Sequence, residues 1–264
     1  MCDLLADILR VAVWKGQDDF PYDSLAQSEP EKWLSYMKKK GWVDSYFPRL
    51  TKMNINKRDE ALAEICGAFF LEEKKGFVIK EREPEGANNK RGEFILSISE
   101  VDIFCEVKSP GWESEIVKKE GVSSPRLQQG KYLSVEGRWG DDSESIRQVI
   151  NKAYEKLPDD KVSLLIIVDD FWRSLFHQLT MEITLNKALY YKSRSYPCQD
   201  PPSGCFVSDN LRNLSGVLFI KIKKENNQFV YQNKLCINSF ATVTFPHEFK
   251  DKLDVFKADS RSCF

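Results

Sequence analysis

The chain has 264 residues, 42% hydrophobic and 30% charged, a balance that gives enough length to bury a sizeable core and excludes a disordered chain. Its 39 basic and 40 acidic residues leave a net charge of −1, so no global field draws it to nucleic acid and any such binding must rest on a local patch. No apolar window is long enough to cross a bilayer and no basic-then-apolar leader opens the chain, so the expected setting is cytoplasmic, with no membrane partner.

Residues 1 to about 15 carry apolar positions at helical spacing (Leu4, Leu5, Ile8, Leu9, Val11) behind Asp3, which reads as a docking helix. A second helix is expected from Ser28, with Pro30 in its first turn and Trp33, Leu34, Tyr36 and Met37 on one side; Lys38-Lys39-Lys40-Gly41 ends it. Those lysines could touch phosphate, but cations at a helix C-terminus need no ligand to explain them. Between Asn56 and Gly76 the positions Ala61, Leu62, Ile65, Cys66, Phe69 and Phe70 form one apolar helix face, with Glu60 and Glu64 a turn apart in its first half. Acids belong there for macrodipole reasons alone.

Phe77 to Glu81 begins a first strand, and Pro84 to Asn89 is a loop dense in breakers. Lys90 and Arg91 follow, placed either to meet phosphate or to hold a neighbouring acid by ion pairing. Gly92 to Pro110 then reads as two strands joined by a short turn, the second from Val101 to Lys108. Alternation puts Val101, Ile103, Cys105 and Val107 on a core face, and Asp102, Phe104, Glu106 and Lys108 on a face that carries charge. Glu106-x-Lys108 projects side by side, and Glu93 of the preceding strand is expected on the same face. Two such carboxylates bind Mg²⁺ (or Mn²⁺) without filling its shell, and the ammonium can stabilise developing negative charge or help activate an attacking water. Asp102 lies roughly 13 Å from Glu106 along the strand, too far to share one ion.

The polar stretch to about Gly140 interleaves Lys118, Lys119, Arg126, Lys131 and Arg138 with Trp112, Tyr132 and Trp139. It fits a nucleic-acid groove and a long self-packed loop equally well. Ser143 to Leu157 is an amphipathic helix, Lys161 to Val168 a strand covered on both faces, and Phe171 to Leu189 helical with the lone His177 on it. Tyr190 to Asn210 is a loop, and Gly216 to Ile222 with Gln228 to Tyr231 a strand pair. Seven scattered cysteines without a Cys-x-x-Cys pair, and only two histidines, argue against structural zinc; Cys66 and Cys105 read as buried thiols of a reducing compartment. The expected class is therefore α/β, with a mixed central sheet flanked by helices over residues 56–190, a helical extension over 1–55 and a strand-containing C-terminal addition over 191–264 packed on the core.

Glu93, then Glu106-x-Lys108 in an apolar strand followed by Ser-Pro-Gly, resembles the PD-(D/E)XK nuclease superfamily, over about Lys57 to Val168. Glutamate stands here where the superfamily's first acid is an aspartate, and no proline precedes it. The resemblance implies a restriction-endonuclease-like core and metal-dependent cleavage of nucleic acid, DNA rather than RNA. Glu93 and Glu106 would hold Mg²⁺ or Mn²⁺ and Lys108 would assist the attack. It also implies a further acid from the preceding helix, Glu60 slightly ahead of Glu64, and a polar residue from the following helix, Gln148 or Lys152. Lys90 and Arg91 would bind phosphate. A non-catalytic member of that fold, binding nucleic acid or protein, is the alternative; oligomeric state leaves no trace in the sequence, and a dimer stays open.

Overall fold

The computed structural model describes residues 24–51, 55–109, 142–169, 181–191, 204–226 and 228–257. The docking helix expected at 1–15, the basic and aromatic stretch 110–140 and His177 lie outside the described residues.

The first helix, α1 (Ser24–Lys39), starts a turn earlier than its punctuation suggested. It ends as read: Gly41 adopts φ 72, and the Gly41 and Trp42 amides donate to the carbonyls of Lys38 and Met37, closing the helix in a Schellman motif. α2 (Val43–Leu50) has no counterpart in the sequence reading, because its eight residues are interrupted by Pro48. α3 (Ile55–Phe69) runs on through a π turn, Phe70–Lys74. Then come β1 (Val78–Arg82), β2 (Phe94–Ile98), β3 (Val101–Lys108), α4 (Asp142–Tyr154) and β4 (Val162–Asp169). α5 (Met181–Leu185) also continues into a π turn, Asn186–Tyr190. β5 (Gly216–Glu225), β6 (Gln228–Ile237) and α6 (His247–Asp251) follow.

The six strands form one sheet in sequence order. β1, β2 and β3 meander antiparallel, β3, β4 and β5 run parallel, and β6 returns antiparallel on β5. The segment expected as an addition packed on the core thus contributes two strands to the sheet itself. Each parallel step needs a crossover, which α4 and the α5 region supply.

Both sheet faces are covered. α3 lies on the first, where Gly67 approaches Val107 and Ile166 and a core of Phe94, Leu96, Ile103, Cys105 and Leu164 gathers with α1 and α3. Ile95, Phe104, Leu165, Ile167, Val217 and Phe219 form a second core with α4 and α5 on the other face. The expectation that β3 has one core face and one charged face is therefore corrected. Phe104 and Glu106 are both 0% exposed, because alternation states which side chains share a face but not what covers it. Among the described residues no helix is long and apolar enough to cross a membrane.

Candidate active site

β3 positions Glu106 and Lys108. The strand pairs on both sides, antiparallel with β2 and parallel with β4, which fixes its backbone and sinks Glu106 completely. Burying a carboxylate is costly unless countercharge comes with it. Here Oε1 of Glu106 meets two ammonium groups, those of Lys108 and, at 2.6 Å, Lys156. Neither carboxylate oxygen has a hydrogen bond of good geometry among the described residues, so the two lysines act on Oε1 as crowded charges while Oε2 is left without a hydrogen-bond partner. Burial pulls the Lys108 ammonium down, but Glu106, with Glu93 and Glu64 beyond it, outweighs that and leaves its pKa raised.

Glu93 sits where the meander is irregular. Phe94 faces Cys105 in the register, yet the Glu93 amide also donates to the Cys105 carbonyl, 2.9 Å away; two residues against one is the pattern of a β-bulge. A bulge interrupts strict alternation, so parity alone does not set the direction of Glu93. Its surroundings do: burial, then Glu64, then Glu106 push its carboxyl up to about 8, against the pull of Lys108 and Lys156. Glu93 thus stands between two groups. One is Glu106, Lys108 and Lys156. The other is Glu64, buried and held at both oxygens by Arg49 (2.5 Å each), with Tyr46 beside it. The Tyr46 hydroxyl is raised by burial and by Glu64, and Glu93 adds to this.

The remaining candidates stand elsewhere. Glu60 pairs with Lys57 at 2.8 Å and is not among the main charges acting on Glu93, so the structure brings Glu64, not Glu60, to the cluster. Gln148 and Lys152 are exposed on α4. Lys90 pairs with Glu155 at 2.5 Å and Arg91 with Glu83 at 3.7 Å, so neither holds Glu93. Asp102 is tied to Lys80 at 2.7 Å. Sequence reasoning missed Lys156, Arg49 and Tyr46. Lys156 carried no signal, since it lies in the turn past the end of α4 where helical periodicity no longer applies; Arg49 and Tyr46 carried none either.

Among the described residues no three His, Cys, Asp or Glu side chains are grouped to hold a metal ion. Two carboxylates still fit a divalent cation that keeps most of its water. Oε2 of Glu106 lacks a hydrogen-bond partner, and burial with the like charges of Glu64 and Glu106 holds Glu93 protonated near neutral pH, so an entering cation would engage an unpartnered oxygen of Glu106 and favour loss of the Glu93 proton.

The described residues define an α/β fold on a six-stranded mixed open sheet, with Glu106-x-Lys108, a fully buried glutamate and a partly exposed lysine, on a central strand. No family model, curated protein or solved structure matches the chain.

Proposed function

We propose that the chain hydrolyses phosphodiester bonds of nucleic acid, DNA in the first instance, in a Mg²⁺- or Mn²⁺-dependent reaction on a restriction-endonuclease-like core of the PD-(D/E)XK kind. One observation carries the reading: a fully buried glutamate with a hydrogen-bond-free oxygen, engaged by a lysine two residues along the same strand, with a second carboxyl, that of Glu93, within reach of their charges. Glu93 and Glu106 would hold the cation, which when bound supplies a Lewis acid for the phosphoryl oxygen. Lys108 is held protonated by its neighbours, so its part is to stabilise negative charge building on the phosphoryl group rather than to accept a proton. Lys156 keeps Glu106 in place and adds a second positive charge. Arg49 fixes Glu64 beside Glu93. The free thiols of Cys105 and Cys236 accord with a cytoplasmic setting.

A plasmid-nicking assay with Mg²⁺, Mn²⁺ or EDTA tests this. Lys108→Ala and Glu106→Gln should each lower cleavage by about 100-fold or more in protein that remains folded. Folded wild type that cuts neither plasmid, single-stranded DNA nor RNA with either ion would end the hydrolytic reading.

A non-catalytic binding module on the same fold is favoured by one observation: Lys108, Lys156 and Arg49 already neutralise Glu106 and Glu64. It predicts binding without cleavage, unchanged by EDTA.

A further inference from the structure

The face of β3 that carries Glu106 and Lys108 continues across the sheet. The register aligns Lys108 with Ile167 of β4 and Ile167 with Phe219 of β5; one pleat further on, Asp169 stands opposite Lys221. Leu165, Ile167, Val217 and Phe219 all belong to the α4-side core, so alternation puts Asp169 and Lys221 on the face of Glu106 and Lys108. Both lie at the carboxyl ends of parallel strands, the end at which open α/β sheets take their ligands. From the strand spacing, Lys221 is roughly 12 Å from Lys108 between Cα atoms.

Lys221 is unusual in its bonding. Its side chain is 9% exposed, and the nearest carboxylate oxygen, on Asp169, is 3.7 Å away, beyond hydrogen-bond range. An ammonium carries three donors, and among the described residues none of them makes a hydrogen bond. A buried cation in that state is poorly explained as a stabilising ion pair, since such pairs offset their desolvation only with close geometry and full hydrogen bonding.

We propose that Lys221 is a second anion position of the site, taking a phosphate of the nucleic-acid strand next to the one presented to Glu106 and Lys108, with Asp169 as the internal counterion that the phosphate displaces. The inference rests on the proposed action on nucleic acid and extends it: the substrate strand runs across the carboxyl ends of β3, β4 and β5. Lysine suits this as a point charge on phosphate.

Fluorescence anisotropy with single-stranded and duplex oligonucleotides, in EDTA and over a salt series, tests it on the full chain. Lys221→Gln and Lys221→Met should weaken binding about 5- to 10-fold at low salt and reduce the salt slope by about one phosphate contact. Lys234→Gln, the same charge change at a lysine paired with Asp254 on β6, serves as control and should do neither. Asp169→Asn should tighten binding, because it removes the carboxylate that competes with phosphate. A purely structural pair predicts no tightening, and Lys221 variants that match Lys234→Gln; either result overturns the proposal even if wild type binds and cuts. Wild type that binds no oligonucleotide would remove the functional reading, and this inference with it.

Discussion

Lys156, two residues beyond the end of α4, holds its ammonium 2.6 Å from Oε1 of Glu106, the oxygen that Lys108 already engages from β3. One fully buried carboxylate therefore depends on two cations from different parts of the chain.

Lys156→Met should accordingly destabilise the fold by about 2–3 kcal/mol, because it leaves a buried charge with one partner instead of two. Lys152→Met, one turn earlier and exposed, should stay within about 0.5 kcal/mol of wild type. Urea denaturation of the two variants side by side decides between a countercharge and an incidental contact; equal midpoints would remove Lys156 from the site.

Much of the frame around this pair was legible in the chain. β3 spans Val101–Lys108 as its alternation indicated, and the apolar run before Asp169 is a strand buried throughout. Lys156 was hidden because its position is tertiary. The Ala87 amide donates to the Lys156 carbonyl and the Asn88 side chain to that of Glu155, so a loop some seventy residues upstream sets where that ammonium points. Arg49 and Glu64 meet across two helices, a pairing no period encodes. The bulge at Glu93 left no mark either, since its surrounding residues alternate like those of a regular strand.

Glu93 gives a pH signature. Its carboxyl stands at about 8 in the folded chain, against about 4.3 when unfolded, so from about pH 4 to 8 the folded state keeps a proton that the unfolded state releases. Stability from this group is greatest below the lower value, declines as the pH rises and is lost above the upper one. Glu93→Gln should match wild type near pH 4 and exceed it by about 1–2 kcal/mol at pH 8.5, the full linkage value being reduced by solvent around a half-buried side chain. Thermal melts across that range read the difference directly, and parallel curves would contradict it.

Arg49 and Glu64 form the second pair of the site, with the two terminal guanidinium nitrogens each 2.5 Å from a carboxylate oxygen. Removing one partner strands the other. Arg49→Met and Glu64→Gln should each cost about 2–4 kcal/mol, while the double variant should cost much less than their sum. A coupling near zero in that double-mutant cycle would mean the bidentate pair does not persist in solution.

The β2–β3 turn is built from residues poorly suited to it. Ser99 and Glu100 both take positive φ, 47 and 66, the geometry of a two-residue type I′ hairpin, which favours Asn-Gly. Ser99→Asn with Glu100→Gly should therefore stabilise the chain by about 0.5–1 kcal/mol. Because the turn lies at the end of β3 away from Lys108, the proposed nucleic-acid cleavage should not change. A loss of stability would show that the turn has another conformation in solution.

Gly92 tests how Glu93 is held without altering any charge. A Cβ at Gly92 would lie 2.4–2.9 Å from three ring atoms of Phe104, and Phe104 is fully buried in the α4-side core. The ring cannot retreat without moving its neighbours, so Gly92→Ala should cost about 1–3 kcal/mol as an overpacking change. The backbone can yield only by shifting the bulge that carries Glu93, so the proposed cleavage should fall by more than the loss of folded protein explains. Phe104→Leu in the same chain opens room on that side. It should restore part of the activity although it adds a core defect of its own, a rescue expected only if the contact between Gly92 and Phe104 sets where Glu93 stands.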